Sequence, residues 1–140
     1  MITPMTEEDA GGLLKRGRIG RLGCIVQGAP YVVPMSYIFE EGSIYLHSFI
    51  GRKVKGLREN PSVCFQVDEI IDDYNWRSAI AFGVYEEVTD AERRAWIVRR
   101  FLTHFPHLTP VESVPVHDGG STVVSFRIKV ERITGVRESP

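Results

Sequence analysis

The chain has 140 residues, of which 43% are hydrophobic and 25% are charged, and its formal net charge is −1. This length and composition predict a single domain over residues 1–140 and exclude a mainly disordered chain. The balanced charge argues against a nucleic acid or a membrane as partner. No apolar run reaches the length of about 18 residues that a membrane span needs, and the first residues do not resemble a signal peptide. Cys24 and Cys64 are too few for a disulfide framework, and neither lies in a C-x-x-C motif, so we expect reduced, buried thiols in a cytoplasmic protein.

The N-terminal segment predicts a short helix. Thr6 is a suitable N-cap because acidic residues follow it in the first turn. Leu13 and Leu14 are expected to face inward, and Gly17 is expected to end the helix. After it, strands are predicted over residues 18–26, 31–39 and 43–48. The turn sequences between them favour an antiparallel meander.

The rest of the chain adds one basic helix, one amphipathic helix and three strands. Residues 51–60 predict a short basic helix that ends before Pro61. Residues 63–67, 76–88 and 121–136 predict strands. A capping box at Thr89–Glu92 starts a helix that runs to about Thr103, with Ala95, Val98 and Leu102 buried, and prolines make residues 105–120 a loop. About six strands in a chain of this length favour a closed or half-closed barrel.

The segment from His47 to Lys53 is the densest candidate for a binding site. A strand ends at Ser48, the chain passes through Gly51, and a helix begins with Arg52 and Lys53. A helix N-terminus with two cations suits a phosphate group. The alternative is a solvated basic face of a surface helix.

Two other segments are candidates for ligand contact. Trp76, Arg77 and Ser78 place an aromatic ring beside a cation at the start of a strand, which suits a planar ligand or a partner chain. The alternative is a tryptophan at the rim of the domain beside a surface arginine.

Pro34, Met35, Ser36 and Tyr37 form the other segment. A proline inside a β segment indicates an edge or a bulge, where a ligand can meet unpaired backbone groups. A plain edge strand is the alternative.

No metal site is predicted. His104 and His107 have a spacing that suits a metal, but Pro106 interrupts the pair and no further ligand stands nearby. The acidic run at Asp68, Glu69, Asp72 and Asp73 is better explained as a solvated turn.

Taken in order, these motifs resemble the FMN-binding split-barrel family, and in particular its branch related to pyridoxamine 5′-phosphate oxidase and the nitroimidazole-resistance (Nim-type) proteins. The resemblance covers roughly residues 5–137. It rests on residues 18–22, 31–37, 44–48, 51–53, 60–65 and 76–83. No match to the substrate-binding motif at the C-terminus of the oxidase is found, which argues against vitamin B6 oxidation.

The resemblance implies a mainly β (α+β) fold, a six-stranded antiparallel split barrel with short flanking helices, which forms a homodimer. It implies FMN at the dimer interface, with Arg52 and Lys53 on its phosphate. His47 and Ser48 would lie near the ribityl arm or the flavin edge. The ring would be lined by Pro34, Met35, Ser36 and Tyr37, with Trp76, Arg77 and Ser78 close by, from the same subunit or from the second one.

The function that follows from this resemblance is an FMN-dependent oxidoreductase with a small-molecule acceptor such as a nitroaromatic or a quinone. His47 is the candidate catalytic residue, because a histidine can hold or supply a proton near neutral pH. Two alternatives remain open: a flavin-binding sensor or storage protein without turnover, and a split barrel that binds haem or a deazaflavin.

Overall fold

The computed structural model describes residues 1–105 and 123–140 and consists of one antiparallel sheet with three helices. The helices are α1 (Glu7–Arg16), α2 (Arg52–Glu59) and α3 (Ala91–His104). The strands are β1 (Ile2–Pro4), β2 (Ile19–Val26), β3 (Ala29–Ser36), β4 (Ile38–Glu40), β5 (Ser43–Phe49), β6 (Ser62–Asp72), β7 (Asn75–Glu87) and β8 (Val123–Glu138). The predicted fold class is confirmed, with eight strands rather than six.

The sheet curves into a barrel that is open on one side. Its strands follow the order β3-β2-β6-β7-β8-β5-β4, and β1 adds to the far end of β8. In the described part of the chain, β3 and β4 each pair on one side only, so the barrel is split between them. One core of buried side chains fills the interior, among them Leu22, Leu46, Phe65, Phe126 and Ile128.

Helix α1 packs against the inner face of the sheet, as its sequence predicts. The Thr6 hydroxyl accepts a hydrogen bond from the Asp9 amide at 3.1 Å, and Gly17 ends the helix. Leu13 and Leu14 are buried in the barrel core. This helix fixes the position of the next segment, because the Tyr37 hydroxyl donates to the Leu14 carbonyl oxygen.

The prediction that three consecutive strands form a meander is wrong for its third strand. Strand β3 pairs with β2 through a hairpin, but the chain leaves the sheet at Tyr37, and β5 pairs with β4 and β8 instead of β3. The Tyr37 ring is buried and lies edge-on to Phe65 at 4.8 Å. Burial of this side chain breaks the predicted strand 31–39 into β3 and β4.

Helix α3 covers the outer face of β5 with a different stripe from the one predicted. Asp90 is its N-cap and accepts from the Arg93 amide at 2.8 Å. Ile97 and Phe101 are buried, whereas Val98 and Leu102 are 41% and 50% exposed. The expectation that Ala95, Val98 and Leu102 are buried is therefore wrong. The larger side chains of Ile97 and Phe101 pack against Tyr45 and Ile38 instead.

Part of the predicted loop 105–120, with His107, lies outside the described residues. No helix in the described ranges is both long enough and apolar enough to cross a membrane.

Candidate functional site

A cleft of about 440 Å³ opens where the barrel is split, between β3, the end of β5, the start of α2 and the end of α3. This volume is in the range of clefts that hold a small organic ligand. The lining residues are Tyr31, Pro34, Met35, Ser36, His47, Ser48, Phe49, Gly51, Arg52, Lys53 and Phe101. The split therefore brings together most of the residues from two of the three predicted segments.

One end of the cleft is the N-terminus of α2, which is rich in positive charge. The helix begins after Gly51, which has no side chain to cap it, and the first turn contains no acidic residue. The Arg52 guanidinium donates to the Gln27 side-chain oxygen at 3.0 Å, and the segment has no carboxylate partner in the described structure. Free helix N–H groups beside two cations are the donor set that an anion requires.

Lys53 is the half-buried cation of this pair. Its amino group lies 3.9 Å from the Met35 sulfur, which is a weak acceptor, and no described carboxylate lies within ion-pair distance of it. Burial lowers the pKa of Lys53 from its ordinary value. A positive charge held this way without a counterion favours binding of a negative group.

The opposite wall of the cleft is the open edge of β3. Register pairs Pro34 with Arg21 on β2, and no described strand pairs with the other side of β3. This placement agrees with the edge strand predicted from Pro34. The wall therefore offers backbone groups of β3 to a ligand in the cleft.

His47 lies at the inner wall of the cleft and is 8% exposed. Its Nδ1 lies 2.9 Å from the Ser125 hydroxyl of β8, and its ring lies 4.6 Å from the Phe101 ring. Two elements thus hold the imidazole in one orientation. The neighbouring Ser48 is also buried, and its hydroxyl donates to the Phe49 carbonyl at 3.1 Å.

The structure does not bring Tyr37 to the cleft. Its hydroxyl is used by α1 and its ring by the core, and burial raises the pKa of its hydroxyl well above the usual value. Tyr37 shapes the site by ending β3 and does not line it.

Trp76, Arg77 and Ser78 also lie outside the cleft of their own chain, and they divide between the two faces of β7. Arg77 shares the inner face with Ala79, whereas Trp76 and Ser78 are on the outer face. The indole N–H of Trp76 donates to Glu138 at 3.0 Å, and the Ser78 hydroxyl accepts from Gln66 at 3.0 Å. Contact of this segment with a cofactor remains a prediction, and it needs a second copy of the chain.

Three aromatic residues of the cleft were missed by the sequence reasoning: Tyr31, Phe49 and Phe101. Phe49 lies within the predicted segment from His47 to Lys53 but was not named as a contact, although it stands between two residues that were. Tyr31 and Phe101 come from the other end of β3 and from α3, so only the tertiary fold brings them to the cleft.

The described residues hold no group of three or more side chains that could bind a metal ion. The Nδ1 of His104 contacts the Arg100 carbonyl oxygen at 3.0 Å within α3. Asp68 and Glu69 lie in β6 rather than in a turn, and they form ion pairs with Arg21 at 3.2 Å and with Arg16 at 2.9 Å.

Residues 6–137 match the family described as pyridoxamine 5′-phosphate oxidase. The chain is 26% identical over 138 residues to an uncharacterised protein of Rhizobium meliloti (strain 1021), covering 94% of this chain and 91% of that protein. Among solved structures it is similar to a FAD-binding protein of Mesorhizobium loti, with 29% identity, a TM-score of 0.81 and 99% of each chain covered. A candidate 5-nitroimidazole antibiotic resistance protein of Bacteroides thetaiotaomicron has a TM-score of 0.75 at 20% identity, covering 98% of this chain and 89% of that one. These matches confirm the resemblance drawn from the sequence motifs.

Proposed function

Because the chain belongs to the pyridoxamine 5′-phosphate oxidase family, we propose that its cleft binds a flavin, with FMN as the cofactor. The observation that carries this proposal is the N-terminus of α2. An uncapped helix end with Arg52 and Lys53 and no acidic residue forms one end of a cleft whose other walls carry aromatic and apolar side chains together with two serines and His47. A flavin mononucleotide has the matching shape, with a phosphate at one end and a planar ring at the other.

The residues of the cleft fit the parts of this cofactor. Arg52 and Lys53 would hold the phosphate, and charge-assisted hydrogen bonds of this kind are worth roughly 1.5–3 kcal/mol each. The β3 edge at Pro34, Met35 and Ser36 would face the ring. When bound, a flavin supplies hydride or electron transfer, and the protein supplies position, electrostatics and access.

The first experiment is the absorbance spectrum of the purified protein with mass spectrometry of the released ligand. A flavin spectrum with the mass of FMN supports the proposal. A haem spectrum, a deazaflavin spectrum, or failure of the ligand-free protein to bind added FMN contradicts it.

FAD is the second candidate cofactor, because the similar protein of Mesorhizobium loti is a FAD-binding protein. A smaller cleft of about 80 Å³ adjoins the first and shares Arg52 with it, and Gln27, Lys55 and Glu59 also line it. The adenylate half of FAD would have to extend over this surface, and the cleft there is well below the ~300 Å³ at which sites for larger organic ligands begin, so it encloses an adenylate poorly. Competition between FMN and FAD on the ligand-free protein tests the choice, and we expect FMN to bind more tightly.

We further propose that the flavin-loaded protein is an oxidoreductase that passes electrons to a small acceptor, such as a nitroaromatic or a quinone. Tyr31 and Phe49 in the cleft wall are 41% and 43% exposed, so the site is accessible to a second small molecule. His47 would hold or supply the proton that accompanies electron transfer, because Ser125 and Phe101 fix its ring at the cleft wall. The free thiols of Cys24 and Cys64 favour a cytoplasmic site of action.

Stopped-flow reoxidation of the reduced protein by a panel of quinones and nitroaromatics tests the activity. Loss of the imidazole in His47→Ala should slow the step by up to ~10²-fold while FMN stays bound. If His47 only contacts the ribityl chain, the variant loses affinity and keeps its rate. If the wild type reduces no acceptor faster than free FMN, the alternative of a non-catalytic flavin-binding or sensor protein replaces the enzyme.

We also propose a homodimer, in which Trp76 and Ser78 of one subunit approach the cleft of the other. The outer face of the sheet supports this proposal. Ile19 and Val136 are 58% and 42% exposed, and the register places them in the same row across the sheet as Ser36 and Ser78. Sedimentation over a concentration series that shows only the monomer would contradict it.

A further inference from the structure

A second charged cleft lies near the C-terminal end of β8, far from Ser125 and His47. It measures about 170 Å³ and is lined by Met5, Asp9, Arg16, Arg77 and Arg137. None of these residues lines the cleft of the proposed flavin site. The sheet therefore carries two separate positively charged clefts.

The register of the sheet forces two arginines of this cleft together. Arg77 of β7 and Arg137 of β8 are directly opposite each other, so their side chains leave the sheet on the same face. Like charges in this position repel and destabilise the pairing of the strands. Arg16 from the last turn of α1 adds a third guanidinium to the same cleft.

The carboxylates nearby compensate this charge only in part. Glu69 accepts from Arg16 at 2.9 and 3.0 Å and lies 3.9 Å from Arg77. The hydrogen bond from Arg16 holds the pKa of Glu69 below its usual range, so Glu69 is ionised at neutral pH. Asp9 is the only carboxylate among the described residues that line the cleft, and within those residues Arg137 forms no ion pair. Three guanidiniums thus line the cleft with one carboxylate, and Glu69 beside Arg16 and Arg77 supplies the second negative charge nearby.

We propose that this cleft binds a small oxyanion of the phosphate class, held between Arg77 and Arg137. A guanidinium presents several N–H donors in a planar fork that matches the oxygens of phosphate. The cleft volume is several times the share of one water molecule, about 30 Å³, and is well below the ~300 Å³ at which sites for larger organic ligands begin. The occupant is therefore a free phosphate or the phosphate group of a small phosphomonoester, and its charge relieves the repulsion between the two strands.

The test is a thermal unfolding titration of the flavin-free protein with inorganic phosphate, compared with chloride at equal ionic strength. A parallel titration with glycerol 3-phosphate distinguishes a phosphomonoester from free phosphate by its relative affinity. All variants are made in an Arg52→Ala background as well, because the flavin cleft also attracts phosphate. We expect phosphate to raise the melting temperature in both backgrounds.

Arg137→Gln should weaken the apparent affinity for phosphate by about 10- to 100-fold, which corresponds to the loss of one charge-assisted contact. In chloride the melting temperature of this variant should stay equal to wild type or rise, because the repulsion between the positive charges of Arg77 and residue 137 is removed. Arg99→Gln removes an exposed arginine of α3 outside this cleft and should leave the phosphate response unchanged.

Three outcomes would overturn the proposal. In the first, Arg137→Gln leaves the phosphate affinity unchanged. In the second, Arg52→Ala alone abolishes the response, which places all phosphate at the other cleft. In the third, Arg137→Gln lowers the melting temperature equally in chloride and in phosphate, which would indicate a purely structural role.

Discussion

Replacing Lys53 with methionine should separate recognition of the flavin phosphate from recognition of the flavin ring. Methionine keeps a similar length and fills the same half-buried space beside Met35, but it removes the charge. We expect Lys53→Met to weaken FMN by roughly 10- to 100-fold, the loss of one charge-assisted contact of about 1.5–3 kcal/mol. Riboflavin, which has no phosphate, should bind the variant and the wild type equally.

The same substitution should make the ligand-free protein more resistant to unfolding. Its amino group contacts the Met35 sulfur, a weak acceptor, at 3.9 Å and pairs with no described carboxylate, so the wild-type charge is partly desolvated without a strong partner. The folded state therefore holds this proton less tightly than the unfolded state does. Urea denaturation of wild type and Lys53→Met, both without flavin, should show a higher midpoint for the variant.

The lowered pKa of Lys53 also predicts a dependence on pH. Between the lowered pKa in the folded state and the ordinary pKa in the unfolded state, the unfolded chain binds more protons, so the stability of the ligand-free protein rises with pH there. Over the same range Lys53 becomes neutral in the free protein, and its contribution to FMN binding decreases. The ratio of FMN to riboflavin affinity should therefore fall as pH rises, before an ordinary lysine would titrate.

Fluorescence titrations of FMN and riboflavin at several pH values measure both effects. Lys55→Met is the matched control, because Lys55 is exposed on the same helix and does not line the flavin cleft. An equal loss of both ligands in Lys53→Met would place Lys53 at the ring or in a structural role. A flat affinity ratio across the pH range would refute the argument from burial.

The remaining predictions concern the fold around the site. Tyr37→Phe should lower the free energy of unfolding by about 1–3 kcal/mol, because it leaves a buried carbonyl of α1 without a partner, and flavin affinity measured in parallel should not change. Gly20→Ala should cost about 1–3 kcal/mol in urea denaturation, because a Cβ there would overlap the Phe65 ring, whereas Gly51→Ala meets no atom within 4 Å and should leave stability unchanged. Trp76→Ala should weaken the proposed dimer, and sedimentation that gives the wild-type dimer constant would place the indole outside the interface.

Local sequence chemistry was enough to predict the elements whose ends are set by near neighbours. Helix α1 begins at Thr6 and ends at Gly17 because capping and a terminal glycine act within one turn. Helix α2 was predicted from equally local signals, the apolar stripe of Val54 and Leu57 and the proline at position 61 that ends the helix. The break at Tyr37 could not be predicted, because it depends on the hydroxyl reaching a carbonyl that is 23 residues distant in the chain.

The buried face of α3 shows a second limit of sequence reasoning. Apolar residues cover a broad arc of this helix, so a stripe through Val98 and Leu102 has a period as good as one through Ile97 and Phe101. Only the contact with Tyr45 and its neighbours on the outer face of the sheet decides between them. Phe101 lines the cleft because this tertiary contact turns its face of the helix toward the sheet, so the sequence motifs alone did not indicate it.

The opening in the barrel creates the candidate site, and the two strands at its edges carry features that limit aggregation. An unpaired strand edge attracts other strands, and proteins limit this with short edge strands and with proline. Here β4 has only three residues, and β3 carries Pro30 and Pro34. These prolines remove backbone donors that an incoming strand would need, while the remaining groups of β3 still face the cleft. The edge can therefore stay open to a planar ligand without becoming a site for strand addition, and Pro34 serves the fold and the proposed flavin site at once.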